Sequence, residues 1–337
     1  MQKQIDWDNG EENFRDLGLT WMSLYNRMNF CTDYPNMSHN EIQDLTRDQL
    51  EVINPTGLTD KVYIKQFYKT LPDYWRFHKD EVNYKFNSDG FRAPEFDKVD
   101  WKNSYVILGC SHVFGTGNPD NETIGAYISN KLNEPVINLG VGGTGFETTY
   151  NNLLKQIHTY GFAKGYFIHW SYASRKMLTY NHTSEEGKKS FWNRRDYIPA
   201  NAPKDLYSKD FLTDLMYRRN IIQHSVRQIL KGIPYADIQD PRDWCIRSEK
   251  DIKRTEGEDK YSITIKVPTP VLGEFDGVHG GYIKWDQYPV AYKKWWLNEI
   301  QARDIKKYNP QTGPRGGHWG RLVNKYIAEH LIDKSRQ

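Results

Sequence analysis

An alternation constrains this chain most. Tyr105-Val106-Ile107-Leu108, Val136-Ile137-Asn138-Leu139 and Tyr166-Phe167-Ile168 are short apolar runs, and the first two stop at Gly109 and Gly140. Short runs rich in β-branched and aromatic residues, ended by glycine, read as buried strands. Between the first two, the spacing predicts a helix over about Glu122 to Leu132, entered through Asn118-Pro119-Asp120-Asn121 and carrying Ile124, Tyr127 and Ile128 on one face. A second helix, about Glu147 to Tyr160, precedes the third run. Strand, helix, strand, helix, strand predicts parallel pairing in a doubly wound α/β sheet. Ligands of such sheets bind beyond the carboxyl ends of the strands, so the residues just after each run carry the functional question.

The flanks follow other patterns. Residues 1–83 read as a mostly helical N-terminal extension, with Leu17, Trp21, Leu24 and Tyr25 at helical spacing, and residues 84–337 as the main domain. The main domain opens on a turn-rich passage, Asn87-Ser88-Asp89-Gly90-Phe91-Arg92-Ala93-Pro94. Residues 180–300 break the rhythm, with the charged stretch Glu185-Glu186-Gly187-Lys188-Lys189 and a helix over Asp214 to Leu230. About 241–300 reads as an insertion, within which Tyr261, Ile263, Ile265 and Val267 alternate as on a half-buried strand. Leu322, Val323, Tyr326, Ile327 and Leu331 predict a final docking helix from about Arg321 to Ile332.

Charge and composition remove several function classes. The 46 basic and 43 acidic side chains nearly cancel to +3, so no strong field favours nucleic acid or an anionic membrane as partner. No stretch nears ~20 consecutive apolar residues, and the first residues lack the apolar core of a signal peptide; the expectation is a soluble, cytoplasmic protein. Cys31, Cys110 and Cys245 give neither a disulfide framework nor zinc-type spacing, and the ten histidines show no His-Glu-x-x-His. No metal or cofactor is predicted. Gly109 to Gly117 is not a phosphate loop, because the Gly-Lys-Ser/Thr ending is missing. The 11 Trp, 23 Tyr and 14 Phe suit a ring-rich core, an assembly surface or a sugar-stacking rim.

Ser111 follows the first run in Gly109-Cys110-Ser111-His112. A hydroxyl is a weak nucleophile until a histidine takes its proton, and the oxyanion that develops needs donors already aimed at it. Asn138-Leu139-Gly140-Val141-Gly142-Gly143-Thr144 brings glycine backbone to the end of the next run. Taken alone, such a serine also suits a helix cap, and Gly142 and Gly143 also suit a tight turn with positive φ.

Ile107-Leu108-Gly109-Cys110-Ser111-His112-Val113-Phe114-Gly115-Thr116-Gly117 resembles the first block of the SGNH (GDSL-type) hydrolases, with Cys110 where the family usually has aspartate. That Gly-Cys-Ser variant is similar to hydrolase-like proteins of tailed bacteriophages and bacteria, and the segments at 87–92 and 138–143 agree in order and spacing. The resemblance implies a three-layer α/β/α, flavodoxin-like fold, Ser111 as nucleophile, and the amides of Ser111 and Gly143 as oxyanion donors. The family's third block carries an asparagine donor; here the strand runs into Trp170-Ser171-Tyr172-Ala173-Ser174-Arg175, with Ser171 or Arg175 as replacement donor and Trp170 as pocket lining. Its last block pairs an aspartate with a histidine before the final helix. His318 with Asp304 fits the run into that helix but needs a loop inserted over Ile305 to Gly317; Asp276 with His279 has the usual three-residue spacing and no terminal helix after it. The first pair is preferred.

The function so implied is ester hydrolysis, on small-molecule or glycan esters such as acetylated sugars. The alternative is a catalytically weak or inactive SGNH-fold structural or binding protein, virion-associated, with phage-particle or homo-oligomer contacts. The missing asparagine favours the alternative, and the near-complete first block favours the enzyme.

Overall fold

The computed structural model describes residues 21–22, 70–80, 82, 85–171, 176–183, 190–197, 209–239, 266–269, 273–276, 286, 288–303, 305, 307–311, 313–315 and 317–336. In chain order the strands are β1 (Tyr105–Gly109), β2 (Val136–Asn138), β3 (Gly165–Trp170), β4 (Lys176–Thr183), β5 (Ser190–Tyr197), β6 (Tyr235–Gln239), β7 (Lys266–Thr269), β8 (Gly273–Asp276), β9 (Lys307–Asn309) and β10 (Gly313–Arg315). The helices are α1 (Ser111–Phe114), α2 (Ile124–Leu132), α3 (Phe146–Tyr160), α4 (Lys209–Ile229), α5 (Val290–Trp295) and α6 (Arg321–Ser335). Four strands form one parallel sheet in the order β2-β1-β3-β6, and β4–β5, β7–β8 and β9–β10 are two-stranded antiparallel pairs.

Strand alternation sorts the central side chains onto two faces. Val106 and Leu108 of β1, with Tyr166, Ile168 and Trp170 of β3, pack against Leu153 of α3 and Val226 of α4. Ile107, Phe167 and Ile238 point the other way, against Ile124 and Ile128 of α2 and Val323, Ile327 and Leu331 of α6. Both faces of β1 and β3 are therefore covered, the reason their sequences read as continuous apolar runs. Helices on both sides of a parallel sheet make the chain a three-layer α/β protein. Among the described residues no helix is long and apolar enough to cross a membrane.

From β1 the chain steps to β2 on one side, then crosses to β3 on the other. The order thus reverses between β1 and β3, and ligands of α/β sheets bind beyond the carboxyl ends of the strands at such a switch point. The register there pairs Gly109 with His169, so Ser111 and Ser171 each follow a matched pair by two residues.

Local chemistry sets the helix ends close to where the sequence puts them. Thr123 caps α2, its hydroxyl accepting from Ala126 N at 3.2 Å, and residues 120–122 form a separate 3-10 turn ahead of it. Beneath α3 the Tyr166 hydroxyl donates to Gln156 Oε1 and accepts from Ala163 N, both at 2.8 Å, and burial pushes its pKa up to about 12.

The N-terminal extension and the insertion lie largely outside the described residues, as do Leu17, Leu24, Tyr25, 184–189 and 261–265. Trp21 is described, and its ring packs on Phe91 and Phe96 at 5.3 and 4.9 Å. The stretch expected to be insertion rejoins the core before residue 300. Tyr292, Leu297 and Ile300, on α5 and the π-helical turn Trp296–Ile300 that continues it, are buried against Phe114 and α6. Aromatic and aliphatic residues at helical spacing there bury one face, as core helices do.

Candidate functional site

The turn after β1 is held rigid by its neighbours. Gly109 is crowded: a Cβ there would lie 2.5 Å from Val113 Cγ2 and 2.6 Å from the His169 carbonyl. Ser111 opens the single-turn helix α1, which ends on Gly115 at φ 80°, a left-handed position that favours glycine. Ser111 is buried at 5% exposure.

Short helices leave carbonyls without partners, and here side chains supply them. Asn138 Nδ2 donates to Val113 O at 2.8 Å while its Oδ1 accepts from Gly140 N at 2.8 Å. The Arg92 guanidinium donates to Phe114 O (3.2 Å), Gly115 O (3.0 Å) and Asn118 O (2.9 Å), and pairs with Asp120. Arg92 is itself positioned by the Asn87 turn, whose Oδ1 accepts from Phe91 N at 2.9 Å and whose Nδ2 donates to Pro94 O at 3.0 Å. The segments at 87–92 and 138–143 thus act as braces for the nucleophile turn. The turn at 142–143 closes the same corner. A Cβ on Gly142 would lie 4.0 Å from Ser111 Cβ, and Gly143 has φ 71°.

The stretch between Asp304 and His318, expected as an inserted loop, includes the β9–β10 hairpin. The hairpin returns the chain on itself, so the segments that flank it approach in space. Ala302 N donates to His318 O at 3.0 Å, Gly320 N to Ile300 O at 2.6 Å, and Gln301 bridges Trp319. Bonds from Arg303 N to Gly117 O at 3.0 Å and from Asn118 Nδ2 to Trp319 O at 2.9 Å tie this double strand to the nucleophile turn.

The histidine next to the serine joins the two parts. The ring of His112 stands 5.0 Å from that of His318, at 63°, and 5.6 Å from that of His169 on β3; Trp319 lies 6.4 Å away. The Ser111 hydroxyl hydrogen-bonds to Cys110 Sγ at 4.0 Å, and among the described residues no hydrogen bond joins it to an imidazole. Among the described residues, His169, 2% exposed, has Nδ1 without a hydrogen-bond partner, and Ser171, 0% exposed, has its hydroxyl in the same condition. Trp170 points to the opposite face, buried against α3 and α4, with Nε1 donating to Asp237 Oδ2 at 2.8 Å. It packs the core there. Among the described residues no group of three or more His, Cys, Asp or Glu is arranged to hold a metal.

Asp304, Arg175, Tyr172 and His279 lie outside the described residues, and Asp276 is the last residue of β8. The residues that the sequence reading passed over are Arg92, Asn118 and His169. Arginine in Phe91-Arg92-Ala93, between two apolar neighbours, is the one signal that pointed to a buried role.

No family model matches this chain, and no curated protein matches it. Among solved structures it is similar to a chain from Desulfitobacterium hafniense DCB-2 described as a lipolytic protein of the G-D-S-L family. That match has 11% identity and a TM-score of 0.33, and covers 70% of this chain and 99% of that one. The α/β architecture stands on the sheet itself, independently of that likeness.

Proposed function

We propose that this protein is a serine hydrolase of esters, with Ser111 as nucleophile, His318 as base and Asp304 as the group that orients the base. One observation carries the reading. Chain distant in sequence converges on the Ser111 turn, since Arg303, the residue before Asp304, bonds to Gly117, and Ala302 bonds to the carbonyl of His318. That convergence follows the carboxyl end of β1, at the reversal of strand order, the kind of place where α/β sheets bind ligands.

In the reaction, Ser111 Oγ attacks the ester carbonyl carbon while its proton passes to His318. The amides of Ser111 and Gly143 hold the negative oxygen, and Ser171, whose buried hydroxyl has no partner among the described residues, or Arg175 adds a further donor. Collapse releases the alcohol, which takes the proton from His318. Water, deprotonated by His318, then attacks the acyl-serine, and collapse frees the acid as His318 returns the proton to Ser111 Oγ. Hydrogen bonds of this kind are often long without substrate and tighten on binding. The substrate class is a carboxylic ester, with O-acetyl groups on carbohydrate preferred because the chain is rich in aromatic residues.

A second reading, an inactive scaffold that makes assembly contacts, is favoured by the 4.0 Å bond of Ser111 to Cys110 Sγ in place of an imidazole. A fluorogenic acetyl-ester assay on wild type and Ser111→Ala decides between them. The hydrolase reading expects the variant to lose at least ~1,000-fold in kcat. Equal rates across several acyl esters would establish the scaffold.

A further inference from the structure

We propose that His112 is the positioning residue of this site, bracing the ring of His318 from the residue next to the nucleophile. The proposal rests on Ser111 and His318 acting as read above. His318 lies on a loop, in residues held by backbone bonds from Ala302 and Gly320. Such bonds fix the main chain, while the direction of the imidazole is set by what its ring meets. The His112 ring meets it edge to face, at 5.0 Å between centroids.

His112 is suited to that task by its own surroundings. It sits in the single turn α1, whose carbonyls Asn138 and Arg92 hold, and is 3% exposed. Its ring is backed at 5.6 Å by His169, itself buried in β3 at the centre of the sheet. The row His318, His112, His169 therefore runs from a loop to a buried strand of the central sheet. Since His112 is bonded to Ser111, a shift of the nucleophile turn carries the brace with it. The contact depends on ring shape and edge-to-face packing, and another ring of similar size serves the same purpose.

The test uses the full chain and a fluorogenic acetyl ester, with wild type, His112→Ala, His112→Phe and Ser111→Ala. Misplacing a reacting group by about 1 Å costs on the order of 100-fold, so His112→Ala should lower kcat by about 10- to 100-fold with KM changed less than about 3-fold. His112→Phe should regain most of that loss. An alanine variant with wild-type kcat overturns the proposal, and so does a folded phenylalanine variant as slow as alanine, because a ring nitrogen would then be what matters. Should the alanine variant fail to fold, the phenylalanine variant alone decides, near-wild-type kcat supporting the brace. If wild type is no faster than Ser111→Ala, the hydrolase reading fails separately. NMR of the His318 ring then tests the brace without turnover: narrowed ring signals in His112→Ala and wild-type signals in His112→Phe support it, and identical signals in all three refute it.

Discussion

Replacing Arg92 by alanine tests whether the upstream turn segment braces the nucleophile turn. The side chain is 4% exposed, and its guanidinium serves the carbonyls of Phe114, Gly115 and Asn118 as well as the Asp120 carboxylate, which is 58% exposed. Gly115 O keeps the Asn118 amide at 3.0 Å, whereas Phe114 O and Asn118 O lose the donor described, at about 1–3 kcal/mol each, or about 2–6 kcal/mol if the two were independent. They share one cavity that water can enter once the side chain is gone, and Asp120 returns to solvent at little cost. The expected loss is therefore about 3–5 kcal/mol, the range for breaking a buried charged contact. Arg92→Lys keeps the charge without the planar fork and should lose about 1.5–3 kcal/mol. Urea unfolding followed by tryptophan fluorescence reads both as midpoint shifts at constant slope. Native stability is itself only about 5–15 kcal/mol, so the alanine variant should unfold at far lower urea. A loss under about 1 kcal/mol, or a lysine variant as stable as wild type, would refute the bracing role.

Two further outcomes are expected. Gly140→Ala puts a methyl into the backbone amide of Phe114 and within 2.7 Å of Val113 Cγ1, so it should cost about 2–4 kcal/mol and lower any Ser111-dependent rate, as thermal melts and the ester assay would show. Burial raises the folded-state pKa of Tyr166 from 10.0 to about 12, so its contribution is fully present below pH 10 and lost as pH rises from 10 to 12; Tyr166→Phe should be less stable at neutral pH yet lose less across that window, read by unfolding midpoints at stepped pH.

The sheet was legible because its strands are buried on both faces: Val106 and Ile107 point opposite ways and still both meet apolar side chains. Helix α2 was legible from the spacing of Ile124 and Ile128, while its cap, Thr123, lies past the turn at 118–121 that the sequence offered as its entry. The site was legible only where it is local, at the turn bearing Ser111. The β9–β10 hairpin was not, because Gly313 and Pro314 are poor strand formers and pair through backbone bonds that leave little pattern in the side chains. The role of Arg92 was hidden for a related reason. Its partners are main-chain carbonyls more than twenty residues away, and any residue type supplies a carbonyl. Trp170 read as a residue lining the crevice because it follows a strand, yet strand parity sends it to the opposite face.

The pairing of 300–303 with 317–320 also separates two kinds of freedom in this chain. With both stems of the hairpin fastened, to each other and to Gly117, the distance across the stems no longer depends on how much chain lies between them. The tip at Pro310 and Gln311 is exposed. Closing a longer loop costs only about 0.6 kcal/mol per doubling of length. The tip is thus a natural port for grafted epitopes, affinity tags or sensor domains, and variation there is decoupled from the spacing of the groups at its base.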